Sequence, residues 1–260
     1  MPKWNPGQYL RFAEERTRPC RDLASNVRVA GPKRIIDLGC GPGNSTEVVA
    51  QQWPEAAITG LDSSASMIEA ARKSRPEIHW ATGNISDWAS ATGEKFDIVF
   101  SNAALQWVDD HAGIYPRLLA RVAPGGAFAC QVPGNYDGPP HRLMREIAAS
   151  NHWRNRLPEG SVREWAVHDL PFYYDVLAPV AARVDMWETE YMHIFGGAAD
   201  IVEWYKGAGL RPFLEALESE TDRNEFIAEY LDGLRAIYAT RADGHVLFPF
   251  RRLFVVAYQV

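Results

Sequence analysis

The sequence predicts an α/β protein whose parallel sheet is covered by helices on both faces. Three observations carry that expectation. From Lys33 to Val132, apolar β-branched segments alternate with segments of helical period. One of them, FDIVFS at 96–101, is too apolar to face water on either side, as a strand in a parallel sheet must be. And a glycine-rich turn, GCGPG at 39–43, joins the first of these strands to the helix after it. Strands separated by helical segments of this length imply right-handed crossovers within one buried sheet.

Each element can be justified in order. Lys33 to Leu38 is a β-branched apolar run and reads as a strand. Asn44 to Gln52 follows as a helix, closed by Trp53-Pro54. Ala57 to Leu61 is a second strand, and Ser64 to Ser74 a second helix with Met67, Ile68 and Ala71 on one face. Ile78 to Thr82 and Phe96 to Ser101 supply strands three and four. His111 to Val122 reads as a helix stopped by the APGG turn at 123–126, with a fifth strand at Ala127 to Val132. After Pro133 the rhythm changes. PGNYDGPPH is rich in turn formers, His141 to Ser150 is helical, and residues 151 to 172 mix charge and aromatics without a period. Arg183 to Phe195 is a long strand. Ala198 to Gly207 and Thr221 to Tyr238 are helices, the latter with Phe226, Tyr230, Leu234 and Ile237 on a stripe expected to face the core. Val246 to Val260 closes the chain as a strand. The expected organisation is a single domain over 1–260: a core at 20–135, a lid or insert with one strand at 136–245, and a returning strand at 246–260.

Composition narrows the function classes. The 260 residues carry a net charge of −6, with 47% hydrophobic and 23% charged residues, ordinary for a globular protein. That balance opposes broad nucleic-acid binding, which shows a basic surface. Three widely spaced cysteines without a CxxC pair fit a reducing compartment. Residues 1 to 20 hold no apolar signal segment, and no window approaches a membrane span. A cytoplasmic protein is expected, with no membrane attachment and no obligate protein partner. The seven histidines show no ligand spacing, so no metal site is expected.

Why does the chain spend Gly39, Gly41 and Gly43 on one turn, when glycine costs more backbone entropy to order than any other residue? In an open α/β sheet, ligands bind at the carboxyl ends of the strands, where this turn lies. A dinucleotide site wants G-x-G-x-x-G, but Asn44 stands where the third glycine belongs. The spacing here is D-x-G-x-G-x-G, with Asp37 two residues before the first glycine. A carboxylate there would face a pyrophosphate poorly and would accept well from an ammonium group. A nucleoside bearing an amino acid, S-adenosylmethionine, answers that demand, and an NAD-dependent oxidoreductase is the rival from another class. Other strand ends agree. Asp62 in LDSS is placed to accept from ribose hydroxyls, with Ser63 and Met67 beside it. Asn84 and Ile85 follow strand three, where an adenine edge is bonded and covered. Asn102 follows strand four in SNAALQW, facing the methyl position, with Gln106 and Trp107 as positioning and walling groups. The N/D-P-P-Y/F motif of enzymes that methylate amino groups on nucleic-acid bases is absent.

With these residues in view, the chain resembles the class I S-adenosylmethionine-dependent methyltransferases. The resemblance implies a Rossmann-like seven-stranded sheet in the order 3-2-1-4-5-7-6, the last strand antiparallel. It runs from terminus to terminus with members that esterify a small tricarboxylic acid, through WNPGQYL at 4–10, RTRP at 16–19, NAALQW at 102–107, QVPGN at 131–135, YYDVL at 173–177, GLRPF at 209–213 and RRLFVVA at 251–257. It therefore implies methyl transfer to a carboxylate of a small polycarboxylate; another small-molecule oxygen or nitrogen is the alternative acceptor. A carboxylate, with a reference pKa of about 4, is already ionised at neutral pH, so no catalytic base is expected. Three carboxylates in a chain of net charge −6 need local cations, and arginine's planar fork suits them. The candidate substrate groups are Arg211, Arg251, Arg252 and Arg16, with Tyr9, Tyr173, Tyr174 and His193. Arg251 and Arg252 are consecutive in a strand, so at most one of them faces a given pocket. The segment WNPGQYLRF, which carries Tyr9, is expected to fold over the cofactor.

Overall fold

The computed structural model describes residues 12–157 and 160–260. Ten helices and seven strands lie within them: α1 (Ala13–Asn26), β1 (Arg34–Leu38), α2 (Asn44–Gln52), β2 (Ala57–Asp62), α3 (Ala65–Ser74), β3 (His79–Thr82), α4 (Ile85–Ser90), β4 (Phe96–Asn102), α5 (His111–Ala120), β5 (Val122–Pro133), α6 (Pro139–Ala149), α7 (Leu170–Leu177), β6 (Arg183–Phe195), α8 (Ala198–Lys206), α9 (Arg211–Ala216), α10 (Glu220–Ile237) and β7 (Val246–Tyr258). A short 3₁₀ turn, Leu105–Trp107, follows β4.

The strands form one sheet in the order β3-β2-β1-β4-β5-β7-β6. The first five pair in parallel, and β7 runs antiparallel to both β5 and β6. This is the sheet that the resemblance implies. One face packs Val99, Phe128, Cys130 and Val255 under α5 and α7. The other packs Phe100, Ala129, Phe254 and Val256 under α1 and α2. The second half builds its own core from Phe213, Phe226 and Tyr230 with the distal ends of β6 and β7.

Three local expectations need correction. The APGG segment does not end an element; it bulges within β5. Val122 pairs with Phe96 and Ala127 with Ile98, so residues 123–126 loop out while the strand continues. A β-carbon on Gly126 would meet the Asp97 carbonyl at 2.3 Å, which is why the bulge takes glycine. Helix α5 accordingly stops at Ala120. Second, Ile237 is 41% exposed while Phe226, Tyr230 and Leu234 are fully buried, because the stripe runs out at the last turn of α10. Third, α7 forms within the aperiodic stretch and beyond it: the Asp169 carboxylate accepts from the Phe172 amide at 3.2 Å, and Pro171 sits in its first turn. Among the described residues no helix is long and apolar enough to cross a membrane.

Candidate active site

The parallel strands end together, and their carboxyl ends open on a cavity of about 480 Å³. The glycine turn forms its floor. The Gly39 amide donates to the Leu61 carbonyl at 2.7 Å, and Cys40 to the same oxygen at 3.1 Å, drawing the turn onto β2. Gly39 has φ 73°, and a β-carbon there would stand 2.2 Å from the Ala104 β-carbon. Gly41 has φ 53° and lines the cavity; a β-carbon there would meet no protein atom within 4 Å. The two glycines thus serve different ends. One admits a neighbouring loop, and the other leaves bare backbone facing open space.

Asp62 holds this turn from the end of β2. Its Oδ2 accepts from the Gly41 amide at 2.9 Å and its Oδ1 from the Ser64 amide at 2.8 Å. A carboxylate has about four acceptor positions, so two such bonds orient Asp62 while leaving capacity toward the cavity that it lines. Met67 and Ile85 give the cavity apolar walls, and Trp107 closes one side, edge-on to Trp165 at 4.7 Å. Asn102 lines the cavity at the end of β4, and its buried Oδ1 has no hydrogen-bond partner among the described residues. Leaving such a group unmet costs about 1–3 kcal/mol, so it marks a place for a ligand or water. Arg16 and Thr17 of α1 roof the space, and Arg163 stands at its rim, donating to the Trp107 carbonyl at 2.8 Å and pairing with Asp109 at 2.7 Å.

Comparison with known proteins places the chain in a family. A methyltransferase domain family matches residues 35–126. The trans-aconitate 2-methyltransferase of Paracidovorax citrulli is 45% identical over 257 residues, covering 99% of this chain and 98% of that one. That of Azoarcus sp. strain BH72 is 45% identical over 260 residues, covering 99% of each. The chain belongs to the trans-aconitate 2-methyltransferase family. Among solved structures, YcgJ from Bacillus subtilis shares the fold with a TM-score of 0.59 at 14% identity, covering 93% of this chain and 98% of that one. The phosphoethanolamine N-methyltransferase 2 of Haemonchus contortus, solved with S-adenosylhomocysteine, shares it at 0.57 and 15% identity, covering 93% of this chain and 52% of its own.

Most of the expected cofactor and positioning residues line the cavity. Gly39, Gly41, Asn44, Asp62, Ser63, Met67, Asn84, Ile85, Asn102 and Trp107 all line the cavity. Three do not. Asp37 is fully buried behind the turn: its Oδ2 accepts from the hydroxyls of Ser45 and Thr46, both at 2.6 Å, which anchors the start of α2, while its buried Oδ1 has no partner among the described residues. Burial raises its pKa to about 6 against the pull of those two hydroxyls, with Asp62 adding to the rise. Gly43, with φ 101°, precedes α2 against Trp80. Gln106 lies behind the wall, donating to the Ala103 carbonyl at 2.7 Å and holding a residue with φ 53°. Asn84 lines the cavity, but its Oδ1 is spent on the Ser86 amide at 2.7 Å, capping α4.

The expected acceptor residues scatter more widely. Arg16 is on the cavity wall. Arg252 and His193 are buried on the sheet face under α1. Arg251 points the other way, donating to the Gly134 carbonyl at 2.6 Å and lying 3.5 Å from Glu188. Arg211 opens α9 off the cavity wall, its Nε bonded to Glu215 at 2.7 Å. Tyr173 is wholly buried on the opposite sheet face, bonded to His111 at 2.8 Å and stacked on Tyr115 at 4.7 Å; it belongs to the core. Tyr174 is 51% exposed on the outside of the same helix. Tyr9 lies outside the described residues. His193 carries no charge at neutral pH: burial, followed by Arg252, Arg18 and Arg16, lowers its pKa to about 4. Arg163 lines the cavity without having been singled out by sequence, because it lies in the aperiodic stretch.

Proposed function

We propose that this protein transfers a methyl group from S-adenosylmethionine to a carboxylate of trans-aconitate, or a close small tricarboxylate, leaving a monomethyl ester and S-adenosylhomocysteine. The observation that carries the reading is the cavity between Asp62 and Asn102, floored by the bare backbone of Gly41, in a chain matched end to end by trans-aconitate 2-methyltransferases. The residues present fit the cofactor. Gly41 leaves room beside its backbone, Asp62 has acceptor capacity toward the space, Met67 and Ile85 offer apolar cover, and the Asn102 oxygen lacks a partner. Asp37 adds a buried negative charge one side chain behind the wall, through Ser45. When bound, the cofactor supplies an electrophilic methyl on a sulfonium cation.

The chain's own residues then have three tasks. Asp62 accepts from the ribose hydroxyls, with Met67, Asn84 and Ile85 around the base, while the turn from Gly39 to Asn44 takes the amino-acid end. Asn102 and Trp107 define where the acceptor oxygen approaches. Because the acceptor is ionised already, no side chain has to remove a proton; alignment and exclusion of water do the work. Intramolecular precedents put the most that alignment contributes at roughly 7–11 kcal/mol. The test is incubation with methyl-labelled S-adenosylmethionine and a panel of di- and tricarboxylic acids. A base-labile, labelled monomethyl ester of trans-aconitate is expected. Label in no acid, or only in a stable ether or amine, would overturn the reading.

A further inference from the structure

A second polar group, Gln131, His193 and Arg252, lies on the sheet face under α1, outside the residues that line the cavity, and the cofactor reading does not use it. Strand register places it. Asn102 pairs with Gln131 on β5, and Pro133, two residues on, pairs with Arg252 on β7. Arg252 in turn pairs with Thr189 of β6, whose alternate residues Tyr191 and His193 point to the same face. Asn102, Gln131, Arg252 and His193 therefore share one face at the end of the sheet nearest the cavity. Phe250 lies between the last two, 4.5 Å from the Arg252 guanidinium carbon and 6.0 Å from the His193 ring.

Gln131 and His193 are buried with polar atoms left unpaired among the described residues. Gln131 is 1% exposed, and neither its Oε1 nor its Nε2 has a hydrogen-bond partner among the described residues. His193 is 6% exposed, and its Nε2 has none either. Buried polar atoms in folded proteins are nearly always paired, so a cluster of unpaired ones beside a buried guanidinium marks ground kept for a polar ligand. The local field says which kind. Arg252, Arg18 and Arg16 all act on His193. Arg16 also lines the cavity, and its guanidinium carbon lies 4.5 Å from the ring centre of Trp204, which tilts against His193 at 5.0 Å. Three cations bear on one neutral imidazole in a chain of net charge −6.

We propose that Gln131, His193 and Arg252 form the shelf that holds the non-reacting carboxylates of the acceptor, with Arg16 closing it from α1. The proposal rests on the reading of the protein as a carboxyl methyltransferase and adds to it the groups that select a polycarboxylate. Gln131 Nε2 and the N–H tautomer of His193 Nε2 donate hydrogen bonds, and Arg252 supplies charge. Asn102, abreast of Gln131, stands where the held acid turns toward the methyl position. An acid with one carboxylate has nothing to place on the shelf, so selectivity for two or more follows.

Calorimetry of trans-aconitate binding to the protein preloaded with S-adenosylhomocysteine tests this without turnover, using wild type, Gln131→Leu, His193→Gln and Arg252→Gln. Roughly tenfold weaker acid binding is expected for Gln131→Leu, where an anion loses a buried donor. For Arg252→Gln the expected loss is roughly 30-fold or more. S-adenosylhomocysteine affinity should stay within about twofold of wild type in each. If Arg252→Gln does not fold, the two neutral substitutions decide. Ester formation by wild type with unchanged acid affinity in the variants would remove the shelf and leave the methyltransferase reading standing. Acid binding that the variants lose, in a wild type that makes no ester, would keep the shelf and remove the reading. A wild type that binds no tricarboxylate would overturn the shelf.

Discussion

Gly39 and Ala104 meet so closely that no side chain can stand between them: a β-carbon on Gly39 would lie 2.2 Å from that of Ala104. The contact ties the turn after β1 to the loop after β4, so the cavity floor and the approach to the methyl position are held by one packing relationship. Gly39→Ala should therefore lower the melting temperature and abolish measurable S-adenosylhomocysteine binding together. Gly41→Ala, with φ 53° but open space around it, should cost only about 1–2 kcal/mol of stability from the left-handed backbone. Its larger effect should be on ligand affinity. Paired melts and calorimetry check this; equal stability losses in the two variants would contradict the assignment.

Asp62 bonds two backbone amides with its two oxygens. Asp62→Asn keeps the size but turns an amide NH₂ toward one of those N–H groups. The unmet bond is worth about 1–3 kcal/mol and loosens the turn that lines the cavity, so S-adenosylhomocysteine should bind at least about fivefold more weakly. Equilibrium binding to the purified variant is the check, and unchanged affinity would take Asp62 out of the site.

Asp37 gives a pH signature to the free protein. Its folded pKa, about 6, lies above the ordinary value of 3.8, because burial disfavours the charged form. The stability it contributes is full below about pH 3.8 and is lost as pH rises through 6. A shift of this size corresponds to about 3 kcal/mol. Asp37→Asn still accepts from Ser45 and Thr46 but does not ionise, so its stability relative to wild type should climb between pH 4 and about 6.5 and then level. Chemical denaturation of both proteins across that window measures it; a difference that stays flat would exclude the raised pKa.

Phe226 is fully buried in the core of the second half, 5.2 Å from the Trp153 ring and 5.6 Å from Phe213. Phe226→Ala should cost about 3–5 kcal/mol in urea unfolding. Ligand affinity below the new melting point should stay near wild type, since no part of this cluster lines the cavity. A loss of affinity without a loss of stability would show that the second half reaches the cofactor.

The strand-end part of the cavity lining was legible because its signals are local. Gly39 and Gly41 lie in the turn after β1, and Asp62 and Asn102 are the last residues of β2 and β4; a strand that ends at the rim of a parallel sheet delivers its end to the cavity whatever the rest of the chain does. Asp37 shows the limit of that reasoning. Its position in the motif was visible, but whether its carboxylate turns to the ligand or to the helix depended on Ser45 and Thr46 lying within hydrogen-bond reach, which only the folded turn reveals. Tyr173 failed for a related reason: a tyrosine in a short helix has no local feature that says which layer it enters, and its hydroxyl found His111.

By itself the sequence determined the alternation of strands and helices, the parallel core and the glycine turn, because hydrophobic period and glycine spacing act over a few residues. It also determined that Arg251 and Arg252 must face opposite ways. Only the tertiary structure decided which of them goes inward, and that Gln131, His193 and Arg252 are buried on one face under α1. That choice is set by the antiparallel register of β7 against β5 and β6, and a one-residue slip would exchange every side chain between the two faces of the sheet.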